Sequence, residues 1–285
     1  MTRRCTQRQY LLSPLRRTNE NVEYCLALAA EQTGVVLHAV CVMSNHWHGV
    51  LTDPDARLPQ FLETFHKLLA KAQNALLGHW ENLWSSDKTS VVLLVSEEDV
   101  LEKMAYVLAN PTAAGLVKSP HEWPGVISHR FGEQRNCEMP DVFFDEDGVL
   151  PDCSILEFVR PAIFSGLSDA ELEAMLATRV AALVKKARED LQRRGLRFAG
   201  RDTVLREPFD AIPKTFAPRR NANPRIAAKS TPERIVAIKR MLDFVRPYRL
   251  AWNEWRAGNR EVTFPWGTYA LRIFAGVRCA CAASS

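Results

Sequence analysis

The 285-residue chain has no apolar run approaching the roughly 18 residues that a membrane-spanning helix needs. The stretch 35–43 is broken by His38, and the stretch 269–283 contains Arg272 and Arg278. The positively charged first residues are followed by no apolar segment, so they do not resemble a secretory signal. We therefore expect an intracellular, cytoplasmic protein with no membrane partner.

Several motifs of common enzyme classes are also missing. The chain contains neither of the phosphate-binding patterns GxxxxGK[ST] and GxGxxG, nor the hydrolase pattern GxSxG, nor HExxH. No nucleotide cofactor is therefore expected. The seven cysteines are an odd number and include no CxxC pair, which favours reduced core residues over a disulfide framework or a zinc ribbon.

What the chain does have is the balance of a globular protein, with 47% hydrophobic and 25% charged residues. Its net charge of +4 conceals an uneven distribution: residues 1–178 carry a net −10, and residues 179–260 carry a net +13. A region this basic would attract nucleic acid, an anionic membrane surface or an acidic partner. Alternatively, its helix faces balance the acidic half of the same chain.

Hydrophobic periodicity predicts the first half of the fold. Strands are expected at 6–12, 35–42, 47–52 and 91–95, because these short runs are rich in β-forming residues and bounded by turn residues. Helices are expected from a cap at Thr18 or Asn19 to Gly34, from 58 to 80, and from a Ser96 cap to about 109. The order is that of an α+β, ferredoxin-like β-α-β-β-α-β antiparallel sheet with one extra helix.

The second half is predicted to be mainly helical. Residues 119–165 are rich in Pro, Gly and Asp and indicate a connection, and a helix over 167–194 begins at a Ser168 cap. Residues 196–232 look like an exposed arm, and a last helix runs from Thr231 toward Phe244 until Pro247 interrupts it. We divide the chain into a domain at 1–130, a connection at 131–165 and a basic, mainly helical region at 166–285.

The first candidate for chemistry is the pair His46 and His48 at the start of a predicted strand. Strand side chains alternate between faces, so the two imidazoles point to one side and Trp47 to the other. Two imidazoles at this spacing can hold one metal ion. The alternative is a pair of partly buried or surface histidines without a ligand.

The second candidate is Tyr106 with Asn110 on the helix that Ser96 caps. Residues four apart lie on the same helical face. The alternatives are a tyrosine packed in the core and an asparagine that ends the helix before Pro111.

Three segments resemble the single-tyrosine HUH transposases, in particular the REP-associated tyrosine transposases. Residues 42–51, VMSNHWHGVL, are similar to the family's His-hydrophobic-His strand. Residues 106–117, YVLANPTAAGLV, are similar to its tyrosine helix, and residues 123–128, WPGVIS, to the segment that follows. The resemblance covers residues 2–130, with the motifs in the family's order.

This resemblance implies that His46, His48 and Asn110 bind a divalent metal, Mg²⁺ or Mn²⁺, and that Tyr106 is the nucleophile. The substrate would be single-stranded DNA, with a hairpin, cut to leave a 5′-phosphotyrosine and a free 3′-hydroxyl. The physical logic agrees, since a metal on a phosphate oxygen offsets charge and a phosphotyrosine conserves the bond energy for rejoining. A homodimer is also expected, because a single catalytic tyrosine can complete both strand transfers only if two sites cooperate. Association with the nucleoid is expected as well.

The sequence departs from relatives in the helix 58–80, which has few basic residues. We expect the basic C-terminal region to compensate, with Trp252 and Trp255 as stacking platforms and a set of phosphate contacts made up of Arg193, Arg194, Arg219, Arg220, Arg225, Lys239 and Arg240. Two other functions stay open. One is a DNA-hairpin-binding protein of the same fold that no longer cuts, and the other is a metallohydrolase that uses the histidine pair with Asp53.

Overall fold

The chain is a mixed α+β protein. The computed structural model describes residues 1–143, 148–214 and 225–281. Its helices are α1 (Arg16–Thr33), α2 (Leu58–Leu77), α3 (Glu97–Ala113), α4 (Asp169–Arg193), α5 (Arg201–Arg206), α6 (Thr231–Arg256) and α7 (Ala270–Ala275). Its strands are β1 (Thr2–Arg4), β2 (Val36–Met43), β3 (His46–Thr52), β4 (Leu93–Leu94), β5 (Gln134–Glu138), β6 (Cys153–Glu157), β7 (Ile226–Ala227), β8 (Thr263–Phe264) and β9 (Arg278–Cys279).

The central sheet has three antiparallel strands in the order β1-β3-β2. The predicted hairpin is confirmed: β2 and β3 are joined by a turn at Ser44 and Asn45, and Met43 lies opposite His46. On the other side of β3, β1 pairs Thr2 with His48. The end of β3 that carries the histidines is therefore held by a strand on each side.

Helices cover both faces of this sheet, and β2 is buried on both sides. One face packs on α1 and α2 through a cluster that includes Val40, Trp47, Phe61 and Phe65. The other face packs on α3 and α4 through Cys41, Val50, Leu101, Met104 and Leu172. The third helix therefore lies opposite the first two.

The predicted first strand at 6–12 is wrong. The strand lies earlier, at Thr2–Arg4, and residues 6–8 form a 3-10 turn. Gln7 and Arg8 have φ angles of 47° and 63°, in the left-handed region that a strand cannot adopt. The turn brings the backbone of Arg8 beside Asn45, at the tip of the β2–β3 hairpin.

The predicted strand at 91–95 is wrong in its length and its partner. Only Leu93 and Leu94 form a strand, and β4 pairs in parallel with β7 rather than joining the central sheet. The outer edge of β1 meets the residues before β4 through two isolated bridges, between Thr2 and Ser90 and between Cys5, directly after β1, and Trp84. A ferredoxin-like sheet needs a fourth strand at this edge, so that arrangement stays a prediction.

The helices begin at the predicted capping residues where the capping side chain is not engaged in another hydrogen bond. Ser96 and Ser168 each cap a helix and accept from the backbone N–H three residues on, as predicted. The predicted cap at Thr18 or Asn19 is wrong, because α1 begins at Arg16 and both residues lie inside it. Thr18 is buried and accepts instead from the Gln73 amide.

Two prolines do not end their helices as predicted. α3 continues through Pro111 to Ala113, and α6 continues through Pro247 to Arg256. In α3 the residues Asn110, Pro111 and Thr112 are buried, so packing offsets the hydrogen bond that Pro111 cannot donate. Asn110 is therefore an interior helical residue and not the last one.

The connection at 131–165 contains a two-stranded antiparallel sheet, β5 with β6, that sequence reasoning missed. It packs on α1, where the hydroxyl of Tyr24 donates to the Pro151 carbonyl at 2.7 Å and Glu31 accepts from the Ile155 N–H at 3.0 Å. All seven cysteines are free, as predicted, but only four are buried, and Cys153 and Cys281 are exposed rather than in the core. Within the described ranges, no helix is long and apolar enough to cross a bilayer.

The WPGVIS segment closes the free edge of β2. Trp123 donates its indole N–H to the Val42 carbonyl at 3.0 Å, and Ser128 accepts from the Val40 N–H at 3.0 Å. Gly125 lies between them, where an added Cβ would come within 2.5 Å of the Trp123 Nε1 and 3.0 Å of the Val42 oxygen. Only a glycine leaves room for this approach.

We predict that Gly125→Ala lowers the free energy of unfolding by about 1–3 kcal/mol, because the added methyl forces the indole or the edge of β2 to shift. Gly166→Ala is the matched control, since its Cβ would meet nothing within 4 Å. Urea denaturation of both variants measures the difference. Equal midpoints for the two variants would contradict the close contact.

Candidate active site

The two imidazoles of β3 lie against each other on one face of the sheet. The ring centres of His46 and His48 are 4.7 Å apart, with the rings nearly perpendicular. Trp47 points the other way and is fully buried, where its indole N–H donates to His66 Nε2 at 3.1 Å. The alternation expected of a strand thus gives one anchored face and one face with a histidine pair.

Helix α3 brings Tyr106 to this pair. The ring centres of Tyr106 and His48 are 5.6 Å apart, in an edge-to-face contact. The tyrosine is 44% exposed, so it is not the core residue of the alternative interpretation. Three aromatic side chains from a strand and a helix therefore form one open group.

Asn110 follows Tyr106 by four residues on α3 and is buried. The spacing places it about 6 Å along the helix axis from Tyr106, on the same helical face. Its backbone carbonyl accepts from the Ala114 N–H, within the continuous helix. The amide belongs to the helix that carries the tyrosine, as the sequence pattern indicated.

Asn45 determines which nitrogen of His46 carries a proton. Its side-chain amide donates to the Arg8 carbonyl at 3.0 Å, and a carbonyl can only accept. The amide oxygen of Asn45 therefore faces His46 Nδ1, at 2.6 Å, and this nitrogen must be the donor. In neutral His46 the lone pair is then on Nε2, the nitrogen left for a ligand.

Both imidazoles are held neutral. Burial lowers the pKa of His46 to about 4, with smaller contributions from the charges of Arg4 and Arg8. Burial also lowers the pKa of His48 well below its ordinary value, helped by His46, the amino terminus, Arg4 and Lys103. A neutral imidazole has the lone pair that a metal ligand requires.

The same cations make the site attractive to anions. Lys103 lies over the ring of Tyr106, with its Nζ 4.9 Å from the ring centre. Sequence reasoning missed Lys103, Arg4, Arg8 and Asn45 as site residues. Lys103 could have been predicted, because it precedes Tyr106 by three residues on the same helix. Arg8 could not, because it reaches the site through a turn of left-handed residues that the sequence pattern does not predict.

The donor set fits a divalent ion that completes its coordination with oxygen. Two neutral imidazoles, with the Asn110 amide that the resemblance adds, supply no negative charge, and no cluster of three or more His, Cys, Asp or Glu residues that could hold a metal occurs in the described parts of the chain. Mn²⁺ accepts both imidazole and oxygen ligands, and Mg²⁺ prefers oxygen. Such a site needs the oxygens of a substrate or of water.

Asp53 has another role. Both of its carboxylate oxygens accept from backbone N–H groups at the start of α2, those of Arg57 at 2.7 Å and Leu58 at 2.8 Å. It follows His48 by five residues along the chain, about 16 Å for an extended strand. The structure therefore does not bring Asp53 to the histidine pair.

The predicted DNA-contact residues are dispersed. Arg193 and Arg194 both pair with Asp190 at the end of α4, while Lys239 and Arg240 are exposed on α6. Arg225 precedes β7, and its carbonyl accepts from the Leu93 N–H. Arg219 and Arg220 lie outside the described residues. No one surface built from these residues follows from the structure.

Trp252 and Trp255 are partly exposed and stacked on each other, with ring centres 5.6 Å apart. The guanidinium of Arg260 lies 4.3 Å from the Trp255 ring centre. The pair is therefore not a core pair, and one face of Trp255 is already covered.

The chain matches no family model, no curated protein and no solved structure. The resemblance to HUH transposases therefore stays a prediction.

We predict that Asn45→Ala removes the preference of His46 for a proton on Nδ1. Asn45→Asp should keep it, because the carboxylate still accepts from Nδ1 although it loses the bond to Arg8. Long-range ¹H–¹⁵N NMR of the imidazoles distinguishes the two tautomers, with His46→Gln to assign the signal. A proton on Nε2 in the wild-type protein would contradict the inferred hydrogen bonds.

Proposed function

We propose that this protein is a metal-dependent enzyme that nicks and joins single-stranded DNA through a 5′-phosphotyrosine on Tyr106, as the resemblance to single-tyrosine HUH transposases implies. The observation that carries the proposal is the contact between Tyr106 and His48, beside His46. A nucleophile and a pair of possible metal ligands can then reach one phosphorus atom. The helix layers on opposite sheet faces are consistent with this family, although the ferredoxin-like sheet stays part of the proposal.

The residues of the site would have separate roles in the cleavage step. The Tyr106 oxygen loses its proton to solvent and attacks the phosphorus, the bond from phosphorus to the 3′ oxygen breaks, and that oxygen takes up a proton. Lys103, over the ring, places a positive charge beside the nucleophile. His46, His48 and Asn110 would hold Mg²⁺ or Mn²⁺, which when bound offsets charge on the phosphate and orients it.

Tyr106 contacts the histidine pair of its own chain, so cleavage can be assembled within one subunit. Transfer of both strands needs a second tyrosine. We therefore include a homodimer in the proposal.

We expect a covalent protein–DNA adduct when the protein is incubated with a single-stranded hairpin oligonucleotide and Mn²⁺. The adduct should be stable on an SDS gel and absent with Tyr106→Phe, which lacks only the attacking oxygen. Cleavage that survives in Tyr106→Phe would contradict the proposal and favour hydrolysis by water. Hairpin binding without any adduct in the wild-type protein would favour the DNA-binding protein that no longer cuts.

We also expect His46→Gln and His48→Gln each to weaken Mn²⁺ binding by roughly tenfold or more, because each removes one of two imidazole donors. Electron paramagnetic resonance of free Mn²⁺ measures the affinity without DNA or turnover. His121→Gln is the matched control, since His121 is exposed and stacks on His129 instead. Equal affinities for all the variants would place any metal elsewhere.

A further inference from the structure

Beside Tyr106 lies a cleft of about 640 Å³, in the size range of ligand sites. It is walled by α3, α4, the segment around β7 and the first turns of α6. Tyr106 and Lys103 form its boundary with the histidine pair. The cleft therefore shares Tyr106 with the candidate active site, and more than half of its lining residues lie outside the stretch 2–130.

The lining of the cleft is amphipathic. Its aliphatic part comes from four elements and consists of Leu94, Ala105, Ala182, Leu183, Ile226, Ala227 and Ala228. Its charged part has four cations, Lys103, Arg179, Lys229 and Arg234, and two carboxylates, Asp99 and Glu102. A ligand with a flat apolar body and a negative group matches this combination.

Two of the four cations are already neutralised. Arg179 makes a bidentate pair with Glu98, both contacts at 2.8 Å, and Lys229 pairs with Glu98 and Glu102. Lys103 and Arg234 have no ion-pair partner in the described parts of the chain. The two unpaired cations stand on different helices that border the same cleft.

The paired cations hold the wall in place. The Lys229 backbone N–H donates to Asp99 at 3.0 Å, and β7 pairs with β4 directly before α3. The ion pairs attach the basic region to the first turn of the helix that carries Tyr106. Part of the positive charge at 179–260 therefore balances acidic residues of the same chain, and Arg234 is left facing the cleft.

We propose that this cleft binds the nucleotide next to the scissile phosphate of a single-stranded DNA, with its base on the apolar floor and its backbone phosphates on Lys103 and Arg234. The inference rests on the proposed function and deepens it. Single-stranded DNA fits because its bases are free to enter, whereas bases in a duplex are stacked and paired. The C-terminal region would act through one wall of the active site rather than through a separate surface.

The test measures binding of a fluorescent single-stranded hairpin oligonucleotide to the full chain in a Tyr106→Phe background with EDTA, so that no cleavage occurs. The slope of log affinity against log salt counts phosphate contacts, at about 0.7 per contact for single strands. Lys103→Gln with Arg234→Gln should reduce the slope by about 1.4. The control is Arg249→Gln, which removes one positive charge from an exposed position of α6, about 22 Å from Arg234 along the helix.

An unchanged slope in the double variant, or an equal reduction per charge in Arg249→Gln, would overturn the cleft proposal while leaving the proposed function intact. No binding of single-stranded DNA by the parent protein would instead overturn the proposed function itself. A second measurement localises the contact. An uncharged methylphosphonate linkage is placed at one position of the oligonucleotide after another. It should abolish the effect of the double variant on the salt slope only when it lies beside the cut position. Loss of that effect with a linkage far from the cut would exclude the cleft.

Discussion

The alternation of side chains along β3 is the constraint on which the rest of the structure depends. Trp47 is fixed on one face by an edge contact with Phe65, with ring centres 5.1 Å apart, and by its hydrogen bond to His66. Because neighbouring side chains of a strand point in opposite directions, burial of this indole turns both flanking imidazoles to the other face. A one-residue slip would place the imidazoles in the core.

The sheet face that carries His46 and His48 holds an uncharged histidine pair in positively charged surroundings. β1, the turn at Gln7 and Arg8, and the tip of the hairpin close around it, and Asn45 links the turn to His46. In the acidic first turn of α3, the Glu98 carboxylate pairs with Arg179 and Lys229. The charges of Arg4, Arg8 and Lys103 act on the histidine pair and give its surroundings a positive potential, which attracts an anion.

Local signals in the sequence predicted what local interactions determine. The β2–β3 hairpin, α2 and the Ser96 and Ser168 caps follow from periodicity and side-chain capping, and the structure has them. The predictions at 6–12, at Thr18 and at Pro111 failed because tertiary contacts overrode local preference. The contact of Tyr106 with His48 was expected from the resemblance, whereas the Asn45 bridge and the cleft depend on residues far apart in the chain, which one sequence cannot bring together.

The most direct test of the central claim is to locate the covalent bond. After reaction with a single-stranded hairpin and Mn²⁺, digestion with nuclease and trypsin should leave a nucleotide on the peptide 104–118, which contains Tyr106 as its only tyrosine. Tandem mass spectrometry should assign that mass to Tyr106 through a phosphodiester. A nucleotide on any other residue, or cleaved DNA with an unmodified peptide 104–118, would contradict the account.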